Sequence, residues 1–119
     1  EDKDCEWGAA AFGMLGLETA FSIAVKTMIE PGLLDWRGLA DRMSVAPARI
    51  GRVREQGHAL EVGAVANLAL VDPSARRVIS SERLASKSRN TPYASMELPG
   101  AVVHVLYAGQ VTVRDGALA

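Results

Sequence analysis

Apolar residues recur at the spacing of an amphipathic helix in the first part of the chain. Between residues 17 and 29 they stand three and four positions apart, which places them on one side of a helix. The apolar positions are Leu17, Ala20, Phe21, Ala24, Val25, Met28 and Ile29. The polar positions on the other side are Glu18, Ser22, Lys26 and Glu30. The pattern predicts a helix that ends at Pro31-Gly32 and buries its apolar side.

Capping signals predict two shorter helices after the first one. Asp35 is a suitable N-cap for the first of the two. Its apolar residues are Trp36, Leu39, Ala40 and Met43. Ser44 is placed to cap a further turn that contains Pro47 and Ile50. Gly51 suits the C-terminus of that turn.

From Gly57 onward the pattern changes to that of short strands. The candidate strands are residues 65–71, 77–80, 101–107 and 110–113. The last two flank Ala108-Gly109 as the strands of a hairpin flank its turn. The chain therefore divides into a helical part, residues 1–55, and a strand part, residues 56–119. It contains no internal repeat or low-complexity segment.

Composition narrows the class of protein without identifying it. The 119 residues are 49% hydrophobic and 23% charged, with a formal net charge of −1, which is ordinary for a globular chain and does not suggest a nucleic-acid partner. Only 5% of the chain is aromatic and 11 residues are glycine, so we expect its core to depend on segments outside it. One cysteine cannot form an internal disulfide, which suits a reducing cytoplasm. No signal peptide or membrane-spanning run is expected.

Two glycines stand in a tight segment just before the first predicted helix. In Ala11-Phe12-Gly13-Met14-Leu15-Gly16, a backbone without side-chain bulk at Gly13 could press its peptide groups against a small polar ligand. From the spacing alone, a turn that starts a helix is the simpler explanation.

Three segments resemble the carboxyl-terminal part of the class I dihydroorotases of the amidohydrolase superfamily. They are Phe12-Gly13-x-x-Gly16-x-Glu18-Thr19, the Gly63-x-x-Ala66-x-Leu68 strand entry, and Ser86-Lys87-Ser88-x-Asn90-Thr91-Pro92-Tyr93. The resemblance extends over residues 1–119, and it implies a start just after the family's Asp-His-Ala-Pro-His motif. Two positions depart from the family pattern, Asn67 and Asp2, where Asp and Glu are usual.

The resemblance implies an α/β fold that is incomplete in this chain. Residues 1–55 would be the end of a metal-dependent (β/α)8 TIM barrel that carries the substrate loop. Residues 56–119 would be part of the small β-sandwich domain that flanks the barrel. By the same resemblance, the backbone of Phe12 and Gly13 lies against the pyrimidine ring of the substrate.

The implied reaction interconverts N-carbamoyl-L-aspartate and dihydroorotate in pyrimidine biosynthesis. A zinc-bound hydroxide attacks the ring carbonyl and an aspartate carries the proton. The family holds its metal with a His-x-His pair, further histidines, a carboxylated lysine and that aspartate, and none of these has a matching position here. We therefore expect zinc to be bound by residues outside this chain, and no catalytic residue within it.

Several other residues invite a chemical role, but each has a simpler explanation. Glu18 stands where a helix start favours a carboxylate in any case. Cys5 lies among acidic neighbours, and nothing around it in the sequence argues for a nucleophile. His58 and His104 are separated from further metal ligands in the sequence.

Two clusters of cations are also expected to be structural. Arg49, Arg52 and Arg54 suit a solvated helix end. Lys87 and Arg89 lie in a loop that we expect to pack against the barrel rather than to contact substrate.

Alternatives remain open within the same fold. The parent could be an inactive dihydroorotase-like scaffold for aspartate transcarbamoylase, and it could form a homo-oligomer. It could also be an allantoinase or a hydantoinase, although Phe12-Gly13 and Asn90-Thr91-Pro92-Tyr93 suit dihydroorotase better. Metal ligands in the rest of the protein would distinguish an enzyme from a scaffold.

Overall fold

The structure is a computed structural model, and it describes residues 4–10 and 12–119. Asp2, where we noted a departure from the family pattern, lies outside the described residues. Ala11, which opens the glycine segment, also lies outside them.

The first predicted helix is present as one helical segment over residues 17–29. It consists of a 3-10 turn (Leu17–Thr19), helix α1 (Ala20–Ala24) and a π-helical turn (Val25–Ile29). The helical conformation ends at the predicted stop: Glu30 is still helical as the C-cap, and Gly32 has a φ of +74°.

The predicted inward face of this segment is partly wrong. Leu17 and Met28, expected inside, are 93% and 40% exposed, whereas Ser22, expected outside, is 1% exposed. Ser22 tolerates burial because its hydroxyl donates to the carbonyl of Gly100 at 2.8 Å. The face that meets the sheet is therefore chosen by this hydrogen bond and by Val25 rather than by polarity alone.

A second helical segment runs without a break over residues 36–51. It comprises helix α2 (Trp36–Ala40), a π-helical turn (Asp41–Val45) and helix α3 (Ala46–Gly51). The predicted cap is confirmed, since Oδ1 of Asp35 accepts from the backbone N–H of Gly38 at 2.7 Å.

The prediction that Ser44 starts a separate turn is wrong. Ser44 lies inside the π-helical turn, whose wider hydrogen-bond spacing lets the chain continue into a first turn that contains Pro47, a residue without an N–H. The helix does end at Gly51, but Arg52 adopts the left-handed conformation there, with a φ of 52°.

Four strands form one antiparallel sheet in the order in which they occur along the chain. They are β1 (Leu68–Val78), β2 (Glu97–Tyr107), β3 (Gln110–Arg114) and β4 (Ala117–Leu118). The predicted hairpin is confirmed, because Ala108 and Gly109 join β2 to β3 with φ values of 49° and 80°, as a two-residue hairpin turn requires. Strand β4 was not predicted, although Asp115-Gly116 before it carries the same turn signal.

The predicted strands at 65–71 and 77–80 overlap the two ends of the single strand β1, whose bounds are Leu68 and Val78. Its pairing with β2 is irregular between Asp72 and Arg76, where Pro73 cannot donate to the ladder. Oδ1 of Asp72 accepts from the hydroxyl and N–H of Ser74, and these bonds hold the pKa of the Asp72 carboxyl below its ordinary value. A polar turn that suggested two strands is therefore a bulge within one.

The helices pack on the sheet at a glycine in β2. Gly100 has a φ of +73°, and a Cβ there would lie 2.9 Å from Cε1 of Phe21 and 3.2 Å from Cγ2 of Val25. An ion pair between Nη2 of Arg76 and Oε1 of Glu30, at 2.7 Å, adds a second link between sheet and helix. Helices and sheet thus share one interface, and the predicted α/β class is confirmed.

The core of the described residues is small for a chain of this length. Its buried apolar side chains are Val25, Leu39, Ile79 and Leu98. Large apolar side chains stay exposed, among them Trp7, Leu17, Leu60 and Val62. This agrees with an α/β unit that is incomplete by itself, while the domain boundary near residue 55 stays a prediction. None of the helices in the described part of the chain has the length and hydrophobicity that spanning a bilayer requires.

Candidate functional site

The segment predicted to bind substrate is an open loop in front of the first helical segment. Gly13 has a φ of +56°, a left-handed conformation that favours glycine, and Phe12 is 86% exposed. No described atom lies within 4 Å of the position that a Cβ on Gly13 would occupy. Backbone groups there can be approached closely, although the substrate-binding role of Phe12 and Gly13 stays a prediction.

Asn90, which is distant in sequence, is hydrogen-bonded to this loop. Its Nδ2 donates to the carbonyl of Phe12 at 3.2 Å and to that of Gly13 at 2.9 Å. The carbonyl of Asn90 in turn accepts from the N–H of Leu15 at 2.7 Å. Two of the three segments that carry the family resemblance therefore meet in space.

Glu18 connects the same two segments at a second point. Its Oε2 accepts from the N–H of Ala85 at 3.0 Å and its Oε1 from the N–H of Ser86 at 3.2 Å. Its own carbonyl accepts from Nη2 of Arg77 on β1 at 3.2 Å. Glu18 therefore has a structural role, as expected. Its carboxylate accepts hydrogen bonds from loop N–H groups, which its position at a helix start did not predict.

Residues 84–93, which we call the 84–93 loop, are also tied together internally. Nη1 of Arg89 donates to the carbonyls of Leu84, Ser86 and Ser88. Arg89 is thus used within its own loop, and the packing of Lys87 and Arg89 against the barrel stays a prediction.

The histidines and the cysteine form no metal-binding group. Nδ1 of His58 is 2.8 Å from the carbonyl of Ala59, and Nε2 of His104 is 3.7 Å from Oδ1 of Asp115. The sequence suggested that His104 is isolated, but in the structure it lies near the carboxylate of Asp115. Within residues 4–10 and 12–119, no three His, Cys, Asp or Glu side chains are grouped so that they could hold a metal ion. These residues do not fit a zinc site.

The arginine cluster borders a shallow depression at the end of α3. Arg49, Arg52 and Arg54 line it, and its volume is about 410 Å³. All three side chains belong to exposed residues. The solvated helix end that we expected accounts for them.

Asn67, one of the two departures from the family pattern, has a structural explanation. Its Nδ2 donates to the carbonyl of Glu55 at 2.8 Å, and its Oδ1 accepts from the N–H of Ala108 at 2.7 Å. An aspartate could accept from Ala108 but could not donate to Glu55. The amide thus joins the end of the helical part to the β2–β3 turn.

Curated proteins named dihydroorotase match almost the whole chain. That of Streptomyces coelicolor is 53% identical over 118 residues, which cover 99% of this chain and 28% of that protein. That of Mycobacterium tuberculosis is 51% identical over 117 residues, covering 98% of this chain and 27% of that protein. The chain therefore spans little more than a quarter of these relatives. No protein-family model matches it.

Solved structures of cyclic amidohydrolases have the same fold over this region. The D-hydantoinase (dihydropyrimidinase) of a Thermus species superposes with a TM-score of 0.82 at 25% identity, covering 95% of this chain and 25% of that one. The L-hydantoinase of Arthrobacter aurescens gives 0.83 at 26% identity, covering 94% of this chain and 25% of that one.

The sequence relatives are thus dihydroorotases at twice the identity of the structural neighbours. The match lies in a carboxyl-terminal portion of those relatives. By sequence, the chain is related to the carboxyl-terminal quarter of the dihydroorotases, and its fold matches about a quarter of the solved hydantoinases.

Proposed function

We propose that this chain is the carboxyl-terminal part of a dihydroorotase. The full-length protein would interconvert N-carbamoyl-L-aspartate and dihydroorotate in pyrimidine biosynthesis, in the cytoplasm. The observation that carries the proposal is the 53% identity to a dihydroorotase over 99% of the chain. Zinc would be bound by residues of the full-length protein outside this chain, so we assign no catalytic residue here.

The function that we assign to this chain is substrate binding by the peptide groups around Gly13. Within the described residues, no acceptor takes the N–H of Gly13 or that of Met14. Both N–H groups adjoin the Cα of Gly13, where an added Cβ would meet no described atom within 4 Å. They can donate to a ring carbonyl, and a cyclic amide offers such an acceptor next to its own N–H.

Hydantoinase activity is the second candidate, because the structural neighbours are hydantoinases with TM-scores above 0.8. Dihydroorotate and hydantoin are both cyclic amides, but only dihydroorotate carries a carboxylate on the ring. Identity favours dihydroorotase by 53% to 26%. An inactive scaffold for aspartate transcarbamoylase has no described residue in its favour.

Steady-state kinetics of the full-length, zinc-loaded protein test the proposal. We expect a higher kcat/KM for dihydroorotate than for hydantoin or allantoin, and loss of turnover when the metal is removed by a chelator. A higher kcat/KM for hydantoin would replace the proposal by the second candidate. A folded full-length protein that binds no zinc and turns over none of the three would favour the scaffold.

A further inference from the structure

We propose that Asn90 is a positioning residue that orients the substrate-binding peptide groups of the Phe12-Gly13 loop. The inference rests on the proposed function, because it concerns how that site is held in shape. It starts from one amide nitrogen, Nδ2 of Asn90, that contacts two successive carbonyls.

The geometry of the peptide unit converts these two contacts into an orientation. In a planar trans peptide the C=O and the following N–H point in opposite directions. The carbonyl of Phe12 is directed at Asn90, so the N–H of Gly13 points away from it. The carbonyl of Gly13 is also directed at Asn90, so the N–H of Met14 points away as well. One side chain therefore turns two successive donors towards the opposite side of the loop.

The donors of Asn90 are fully used in this arrangement. A primary amide nitrogen carries two N–H bonds, and Phe12 and Gly13 offer one carbonyl each. Asn90 therefore has no amide hydrogen left for substrate, which is why we assign it positioning rather than binding. Aspartate would place an oxygen against two carbonyl oxygens, and serine would supply one donor instead of two.

The 84–93 loop, which contains Asn90, is held to the first helical segment and the residues before it at two places. Glu18 accepts from Ala85 and Ser86 at the start of the 84–93 loop, and Leu15 donates to the carbonyl of Asn90 near its end. The bonds from Arg89 to carbonyls of the loop connect these two places. The Asn90 amide thus belongs to a segment that is held by other hydrogen bonds. Replacing the amide should change the Phe12-Gly13 loop while leaving those bonds in place.

The test is Asn90→Asp in the full-length, metal-loaded enzyme. We expect the KM for dihydroorotate to rise about three- to tenfold, as for the loss of one or two ordinary hydrogen bonds, with kcat within about twofold. Bound metal should be unchanged. The rise in KM should not result from lost stability, so any fall in the thermal midpoint should be no larger than in the control variant described next.

Asn67→Asp is the matched control, because it makes the same chemical change at an amide that also donates to a carbonyl. The partners of Asn67 are Glu55 and Ala108, neither of which belongs to the substrate loop. We expect a lower thermal midpoint and an unchanged KM. Asn90→Ser is a second test variant in case Asn90→Asp does not fold, and its KM should rise less than that of Asn90→Asp.

Three results would overturn the inference while leaving the proposed function in place. They are a wild-type KM in folded Asn90→Asp or Asn90→Ser, an equal rise of KM in Asn67→Asp, and a fall in kcat at constant KM. Absence of dihydroorotate turnover by the wild-type full-length protein would instead overturn the proposed function and this inference together.

Discussion

Gly13→Val in the full-length enzyme is expected to lower kcat/KM for dihydroorotate by about one to two powers of ten, or about 1–3 kcal/mol, chiefly through KM. The backbone at residue 13 has a φ of +56°, which a β-branched residue adopts only with strain. Since no described atom lies within 4 Å of the new Cβ, the chain itself has room for the side chain. The loss should therefore come from a changed loop conformation and from intrusion on the ring pocket.

Gly16→Val provides the matched control in the same loop. Gly16 has a φ of −143°, and a Cβ there also meets no described atom within 4 Å. The same side chain is thus added without left-handed strain, and we expect a much smaller change in kcat/KM. Bound zinc, measured by metal analysis, should be normal in both variants.

Glu18→Gln tests whether Glu18 has a structural role, as we expect, or a chemical one, with substrate binding left to Phe12 and Gly13. The amide can still accept one hydrogen bond from the 84–93 loop, so its effect on kcat/KM should be well below that of Gly13→Val. A nearly normal Gly13→Val enzyme beside an inactive Glu18→Gln enzyme would mean that the roles are reversed.

Gly100→Ala is expected to give the largest loss of stability, about 2–4 kcal/mol in the free energy of unfolding. Two costs combine at this position. Its φ of +73° disfavours any side chain, and the new Cβ would lie 2.9 Å from Cε1 of Phe21. The ring must move, and with it the contact between α1 and the sheet. Denaturant unfolding of the full-length protein measures the loss.

Gly109→Ala isolates the first of these costs. Gly109 has a φ of +80°, but a Cβ there meets nothing within 4 Å. We expect a loss of about 1 kcal/mol from backbone strain alone. Equal losses in the two variants would show that Phe21 accommodates a Cβ at residue 100 without a further cost.

Features set by neighbouring residues could be predicted from the sequence. The helical segment at residues 17–29, the Asp35 cap and the turn at Ala108-Gly109 each depend on interactions within a few positions. Their signals are periodicity, a side-chain acceptor and a turn dipeptide, all of which can be seen directly in the chain.

Features set by distant residues could not be predicted. Periodicity reports which side of a helix is polar, but Ser22 is buried because its hydroxyl donates a hydrogen bond to a carbonyl 78 positions away. The bonds from Asn90 to Phe12 and Gly13 span 78 and 77 positions. The family resemblance marked both segments, yet only the fold shows that one side chain joins them.

The structure of the full-length, metal-loaded protein with dihydroorotate bound is the most direct test of the central claim, that the peptide groups around Gly13 bind the substrate ring. We predict that the N–H of Gly13 or of Met14 lies about 3 Å from a ring carbonyl oxygen, with Asn90 still bonded to the loop from the other side. A bound ligand whose ring makes no contact with residues 12–14 would contradict the account.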